Sequence, residues 1–333
     1  MNMEEKKGYI LGIDQGGTKT AAAVMREDGF IMGNAVAKGA YFPVDGMETA
    51  IARIREAVDG ALQSAAASQE DVSFTMAGIT GVDWPGDDLT VKKALQERLF
   101  LGEVSVCNDA VIALYSGTMR SHGVVICAGT GMNGALIDRE GRQFVYGDYM
   151  EERAQGGSAL AVRAVRKVFD AALGLCEPTL LTKLFLEQAK EPDVDALLRR
   201  YMKEERFREE LRFLVPQIMM TAERGDKEAC RLLDEFAGEI VSYIAAGVKK
   251  MSMKPEEEEV ILAGSVFKGA DNPLTRRVVS GIGERLCGIK VVRARYEPVV
   301  GACIMGMIRM GLKPLERENV IGESAAVLEL LCV

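Results

Sequence analysis

The sequence predicts an α/β protein of two domains built on one plan, facing each other across a cleft, with a helical insertion in the second. Three observations carry this. The chain has 333 residues, more than one ordinary domain needs. Its amino-terminal part runs strand, glycine turn, strand, hairpin, strand. The same pattern returns 112 positions later, where Gly17-Thr18 falls on Gly129-Thr130, Ala23 on Ala135 and Gly29 on Gly141 without a gap.

The elements follow in order. Tyr9 to Asp14, Ala21 to Met25 and Phe30 to Lys38 read as three strands, the last two joined at Asp28-Gly29, a strong hairpin signal. Met47 to Ala67 has helical apolar spacing, Val72 to Ala77 is a strand, Leu89 to Phe100 a helix, and Val104 to Asn108 a strand. A helix from about Ala110 to Met119 closes the half. At Gly123 the stretch "GVVICAGTGMNGALIDREGRQFVYG" restarts the plan. A helical block of about 157–250 then interrupts it, followed by strand Glu259 to Ala263, helix Asn272 to Leu286, strand Lys290 to Ala294 and helix Val299 to Met310. The expected division is 1–118, 119–312 with the insertion, and a tail, 313–333, packing back on the first domain.

Composition narrows the class. A hydrophobic fraction of 48% with 27% charged residues suits a fully folded globular chain. The net charge is −8 with cations scattered among acids, so no basic face is offered to nucleic acid or an anionic membrane. "MNMEEKKGYI" is no secretory signal, and the apolar run Val299 to Ile308 is about half of the ~20 residues a span needs. A cytoplasmic protein with no membrane partner is expected. The seven cysteines lack C-x-x-C spacing and read as reduced core thiols. The single histidine, His122, lies at an element boundary and reads as a loop residue, and Trp84 as packing on its own domain. Glu256 to Glu259 reads as a solvated turn, and Lys203 to Phe213 as an exposed helical face with i,i+4 pairs.

"GYILGIDQGGTKT", Gly8 to Thr20, ends an apolar pulse in paired glycines. The order Thr18-Lys19 excludes a Walker A loop, and the strand that follows excludes a dinucleotide fingerprint. What remains is a turn between antiparallel strands whose N–H groups can face one anion, with Thr18 and Lys19 adding a hydroxyl and a cation. Asp14 at the strand end can hold magnesium through water. "CAGTGMN", Cys127 to Asn133, puts a second such turn at the matching place, and two facing cradles suit a polyphosphate. A third glycine, Gly264, follows a strand and precedes a helix, where the nucleoside end fits. Without a well-placed histidine, a general base falls to a carboxylate. Asp109, between strand and helix in "VSVCNDAVIALYSG", is the candidate, with helix capping as its alternative role.

These residues resemble the N-acetylglucosamine kinase branch of the BadF/BadG/BcrA/BcrD ATPase family, within the actin, hexokinase and sugar-kinase superfamily of ribonuclease H-like folds. The matching stretches are Gly12 to Thr20, Ala77 to Asp83, Asn108 to Ala110, Gly129 to Asn133, Ala222 to Asp226, Gly264 to Lys268 and Glu297 to Ala302. The resemblance implies two ribonuclease H-like domains and transfer of phosphate from Mg-ATP to an amino-sugar hydroxyl. It places Asp14 near the metal, Gly16, Gly17, Thr18, Lys19, Gly129, Thr130 and Gly131 on the phosphates, and Ala222, Gly264, Ser265 and Lys268 about the nucleotide. Asp109 matches the base, and Asn108, Met132, Asn133 and Gln155 stand on the sugar side. A homodimer is expected. Two departures stand out: Gln155 in "AQGGSA" occupies the family's aspartate position, and Tyr41 and Phe42 replace a sugar-binding amide. The competing reading is a BadF-type ATPase without sugar kinase activity, a nucleotide sensor or a dehydratase activator. Such activators share an iron–sulfur cluster between subunits, and Cys127 and Cys176 lack that spacing.

Overall fold

The computed structural model describes residues 8–99, 102–150, 156–269 and 271–329. Strands β1 (Tyr9–Gln15), β2 (Lys19–Arg26) and β3 (Ile31–Lys38) form an antiparallel meander. Strands β4 (Val72–Ile79) and β5 (Glu103–Asn108) extend it in parallel, giving the order β3-β2-β1-β4-β5. The second sheet repeats this with β6 (Gly123–Ala128), β7 (Met132–Ile137), β8 (Gln143–Val145), β9 (Glu259–Ala263) and β10 (Lys290–Arg293), in the order β10-β9-β6-β7-β8. Counted from its own first strand, each sheet is ordered third, second, first, fourth, fifth. The internal repeat in the sequence is thus a repeat of topology, and the pair of ribonuclease H-like sheets is present.

All seven residues of β1 are buried, as a central strand covered on both faces requires. On one face lies the helix Met47–Ser64, whose Ala50, Ile51, Ile54, Ala57, Val58, Ala61 and Leu62 form a single buried stripe against Leu11, Ile13 and Val24. It lies so close to β3 that a Cβ on Gly33 would stand 2.4 Å from Ala65 N. The other face meets the helices Asp109–Leu114 and Pro298–Arg309, which bury Ile112, Val300, Cys303 and Ile304 against Ile10, Ala23 and Met76. Burying each large aliphatic of this group contributes about 1.5–3 kcal/mol.

The second of these helices is exchanged between the sheets: Pro298–Arg309 follows the second sheet and packs on β1, β4 and β2 of the first, while Asp109–Leu114 lies between the two, against β4 and β5 of the first and β6 and β7 of the second. They cross at Gly301, where a Cβ would come within 2.2 Å of Ile112 O.

The first of them ends at Leu114, five residues before the expected Met119. The N–H groups of Tyr115, Ser116 and Gly117 reach back three residues, to the carbonyls of Ile112, Ala113 and Leu114, and Ser116 Oγ donates to Ala113 O at 2.6 Å. Ser116 O then accepts from Arg295 N and Tyr296 N, so the tightened turn ties together the segments leading out of both sheets. A second difference is the short helix Phe42–Asp45 in the loop after β3, started by Pro43 and by Asp45 Oδ2 accepting from Tyr41 N at 2.8 Å.

The insertion begins with Gly156–Ala172 and ends with Lys227–Lys250, close to the expected limits, and covers the outer face of the second sheet with Leu160, Val165, Ile240 and Ile244. The tail helix Glu318–Glu329 lies on β3, where Ser324 Oγ accepts from Ile31 N at 3.1 Å. Among the described residues no helix is long and apolar enough to cross a membrane, and the described cysteines are all free.

Candidate active site

The two glycine turns join β1 to β2 and β6 to β7, at equivalent ends of the two sheets. Each is closed by its own backbone: Gly16 N donates to Lys19 O and Gly129 N to Gly131 O, both at 2.9 Å. Those two N–H groups therefore shape the turns and do not face an anion. The turns are also braced from behind. Gly39 N and Ala40 N donate to Thr18 O and Gly16 O, while Gly157 N and Ser158 N, at the start of the insertion's first helix, donate to Gly129 O and Thr130 O.

In front of the turns there is room. A Cβ built on Gly17, Gly129 or Gly131 meets nothing within 4 Å, and none of the three has positive φ. Neither packing nor backbone conformation accounts for glycine at these positions, whereas close approach of a ligand to the main chain does. Gly264 differs: its φ is +97° and a Cβ would lie 2.3 Å from Ala128 O, so this glycine is what lets the end of β9 sit against the end of β6. These are the features a polyphosphate cradle with a flanking nucleoside pocket would have.

Asp14 and Asp109 stand at the carboxyl ends of β1 and β5. Burial pushes Asp14 up to about 6, against the pull of the Lys19 ammonium and with a push from Glu297. Burial also pushes Asp109 up to about 7, reinforced by the negative charges of Asp14 and Asp83. The capping role open to Asp109 is shared with its neighbour, because Asp109 Oδ1 accepts from Ala110 N at 3.0 Å. Asn108 is the N-cap of Asp109–Leu114, and its Oδ1 accepts from Ala110 N at 2.9 Å.

Asn108 is also the hub of a polar chain. Its Nδ2 donates to Asp83 Oδ1 at 2.9 Å, and its Oδ1 accepts from Asn133 Nδ2 at 3.3 Å. Asn133 Oδ1 in turn accepts from Gly134 N and Gly147 N. The two asparagines expected on the sugar side, one from each half, are thus in direct contact, beside Asp109. The Cys127 thiol, opposite Asn133 in the β6–β7 register, is pushed up by burial and by Asp109, Asp14 and Glu297. Carboxylates of both halves thus act on this thiol.

The remaining expected residues divide. Met132 opens β7, pairs with Ala128 and packs toward the core of the second half. Ser265 starts a short 3₁₀ turn after Gly264, and Lys268 Nζ donates to Glu297. Ala222 is 4% exposed, within the second half's core, and its carbonyl accepts from Gly225 N. Gln155 lies outside the described residues. Trp84, expected to pack on its own domain, is instead 64% exposed, its backbone N–H donating to Asp87 Oδ2.

Two residues had no role assigned from the sequence: Asp83, which orients Asn108, and Glu297, which pairs with both Lys19 and Lys268. Both lie at the edge of stretches that carried the family resemblance. An acid directly before Pro298, at the start of an apolar helix, was the available signal for Glu297.

Comparison with known proteins agrees with this geometry. The model of the BadF/BadG/BcrA/BcrD ATPase family matches residues 11–306. The chain is 24% identical over 303 residues to the N-acetylmuramic acid/N-acetylglucosamine kinase of Clostridium acetobutylicum, covering 89% of this chain and 97% of that one. It is 26% identical over 319 residues to the N-acetyl-D-glucosamine kinase of Dictyostelium discoideum, covering 90% and 98%. A solved Chromobacterium violaceum structure, provisionally assigned as an N-acetylglucosamine kinase, matches at TM-score 0.67 and 20% identity over 90% of this chain and 99% of that one, a likeness of fold. The chain belongs to the BadF/BadG/BcrA/BcrD ATPase family and is a carbohydrate kinase.

Proposed function

We propose that this carbohydrate kinase transfers the γ-phosphoryl group of Mg-ATP to a hydroxyl of N-acetylglucosamine or a related amino sugar, with Asp109 as general base. The observation that carries the reading is Asp109 itself: a carboxylate at the carboxyl end of β5, raised to about 7 and flanked by the asparagine contact between the halves. A base that titrates near the working pH can both take and release a proton efficiently. As the sugar oxygen forms its bond to the γ-phosphorus, Asp109 takes the hydroxyl proton and the bond to the β-phosphate oxygen breaks, leaving ADP. Residues 1–118 and 119–312 act as the two jaws, and the open faces of Gly17, Thr18, Thr130 and Gly131 receive the phosphates.

Among the described residues no group of three or more His, Cys, Asp or Glu side chains could cage a metal. Asp14 would hold magnesium through water, in keeping with an ion that retains several waters of its own shell. When bound it neutralises charge on the transferring phosphate. The buried, raised Asp14 suits this, because a cation beside it relieves the penalty of burying the charge.

The test is ADP release measured over a panel of sugars with and without each acceptor. Asp109→Asn should lower the sugar-dependent rate by about 10²–10⁴. Undiminished sugar-dependent turnover in that variant would remove Asp109 as the base, and nucleotide binding with silence across the panel would remove the kinase activity.

A further inference from the structure

Glu297 sits directly before Pro298, at the N-terminus of the exchanged helix that packs beneath β1. Its Oε2 accepts from Lys19 Nζ at 3.1 Å and its Oε1 from Lys268 Nζ at 2.9 Å. Lys19 follows the first glycine turn and Lys268 the Gly264 loop, so one carboxylate holds one ammonium from each half of the molecule. Two ammoniums brought to one spot repel each other, and on flexible four-carbon stems they would swing apart without a shared counter-ion. The Glu297 side chain is 14% exposed and cannot follow them, whereas those of Lys19 and Lys268 are 41% and 64% exposed. The bond to Glu297 uses one of the three donors of each ammonium.

We propose that Glu297 is a positioning residue that gathers Lys19 and Lys268 at one point of the cleft, so that an entering polyphosphate meets both ammoniums together. The proposal rests on the reading of the cleft as a nucleotide site. Glu297 touches neither phosphate nor sugar and acts through the two lysines.

The test is calorimetric binding of ADP without sugar, with steady-state kinetics alongside. Glu297→Gln is expected to raise the Kd for ADP and the KM for ATP about tenfold, the scale of one charge-assisted contact, with kcat at saturating ATP affected far less. Lys268→Met should weaken ADP binding similarly, and the double variant should bind no worse than the weaker single variant, because both changes break the same arrangement. Glu297→Asp should recover part of the affinity; if Glu297→Gln does not fold, Glu297→Asp and Lys268→Met provide the same cycle. ADP binding that is unchanged or tighter in Glu297→Gln, or losses that add in full in the double variant, would overturn the proposal. A wild-type protein that binds no ADP would overturn the nucleotide reading itself, and this proposal with it.

Discussion

Asp109 and Asp14 hold carboxyl groups at about 7 and about 6, against about 3.9 for an aspartate in water. The folded state therefore binds their protons more tightly than the unfolded chain does. Between pH ~4 and ~7 the folded protein retains protons that the unfolded chain has lost, so these two groups lower stability as pH rises through that window. We expect Asp109→Asn to raise Tm at pH 8 by about 2–4 °C, roughly 1 kcal/mol, in calorimetry, in the variant that loses turnover. The same burial sets the pH profile: kcat/KM should climb through about pH 7 as Asp109 ionises. Asp83→Asn removes one of the negative charges that raise Asp109, so its pH–rate midpoint should move lower. Asp14 and Asp109 were legible in the sequence because each ends an apolar strand. Asp83 was not, because it lies in a loop and its role depends on where Asn108 Nδ2 points, which no periodicity encodes.

At the scale of the element, glycines with the same appearance in sequence do different work. Gly131 faces open space at ordinary φ, and Gly264 is locked by both φ and the Ala128 carbonyl. We expect Gly131→Ala to keep the wild-type Tm and weaken ADP binding, and Gly264→Ala to lose stability by at least the 1–3 kcal/mol of a strained backbone. Thermal melts paired with calorimetry separate the two. Both turns, both meanders and the insertion could be read from apolar pulses broken by glycine and Asp-Gly. The end of Asp109–Leu114 could not. A helical pattern continues past Leu114, and what stops the helix is the demand for Ser116 O as an acceptor for Arg295 and Tyr296, nearly 180 residues away.

At the scale of the molecule, the repeat predicted two similar sheets but not the exchange of the last helix, Pro298–Arg309, onto the first sheet. That exchange depends on contacts between residues far apart in sequence, of which the close crossing of Gly301 over Ile112 is the clearest. A chain truncated before Pro298 should fail to fold its first half, because the face of β1 bearing Ile10 loses Val300 and Ile304. Circular dichroism and protease resistance of the fragment would show this. The exchange also sets a timetable for synthesis. The first sheet is complete at Asn108, yet the helix that covers it ends at Arg309, about 200 residues and roughly 10–40 s later at ~5–20 residues per second. Through that interval the growing chain carries an apolar sheet face covered only in part, by Asp109–Leu114. Ribosome-bound intermediates are expected to stay protease-sensitive and to be held by chaperones until the last strand and helix arrive, so that the two halves mature together, late, rather than one after the other.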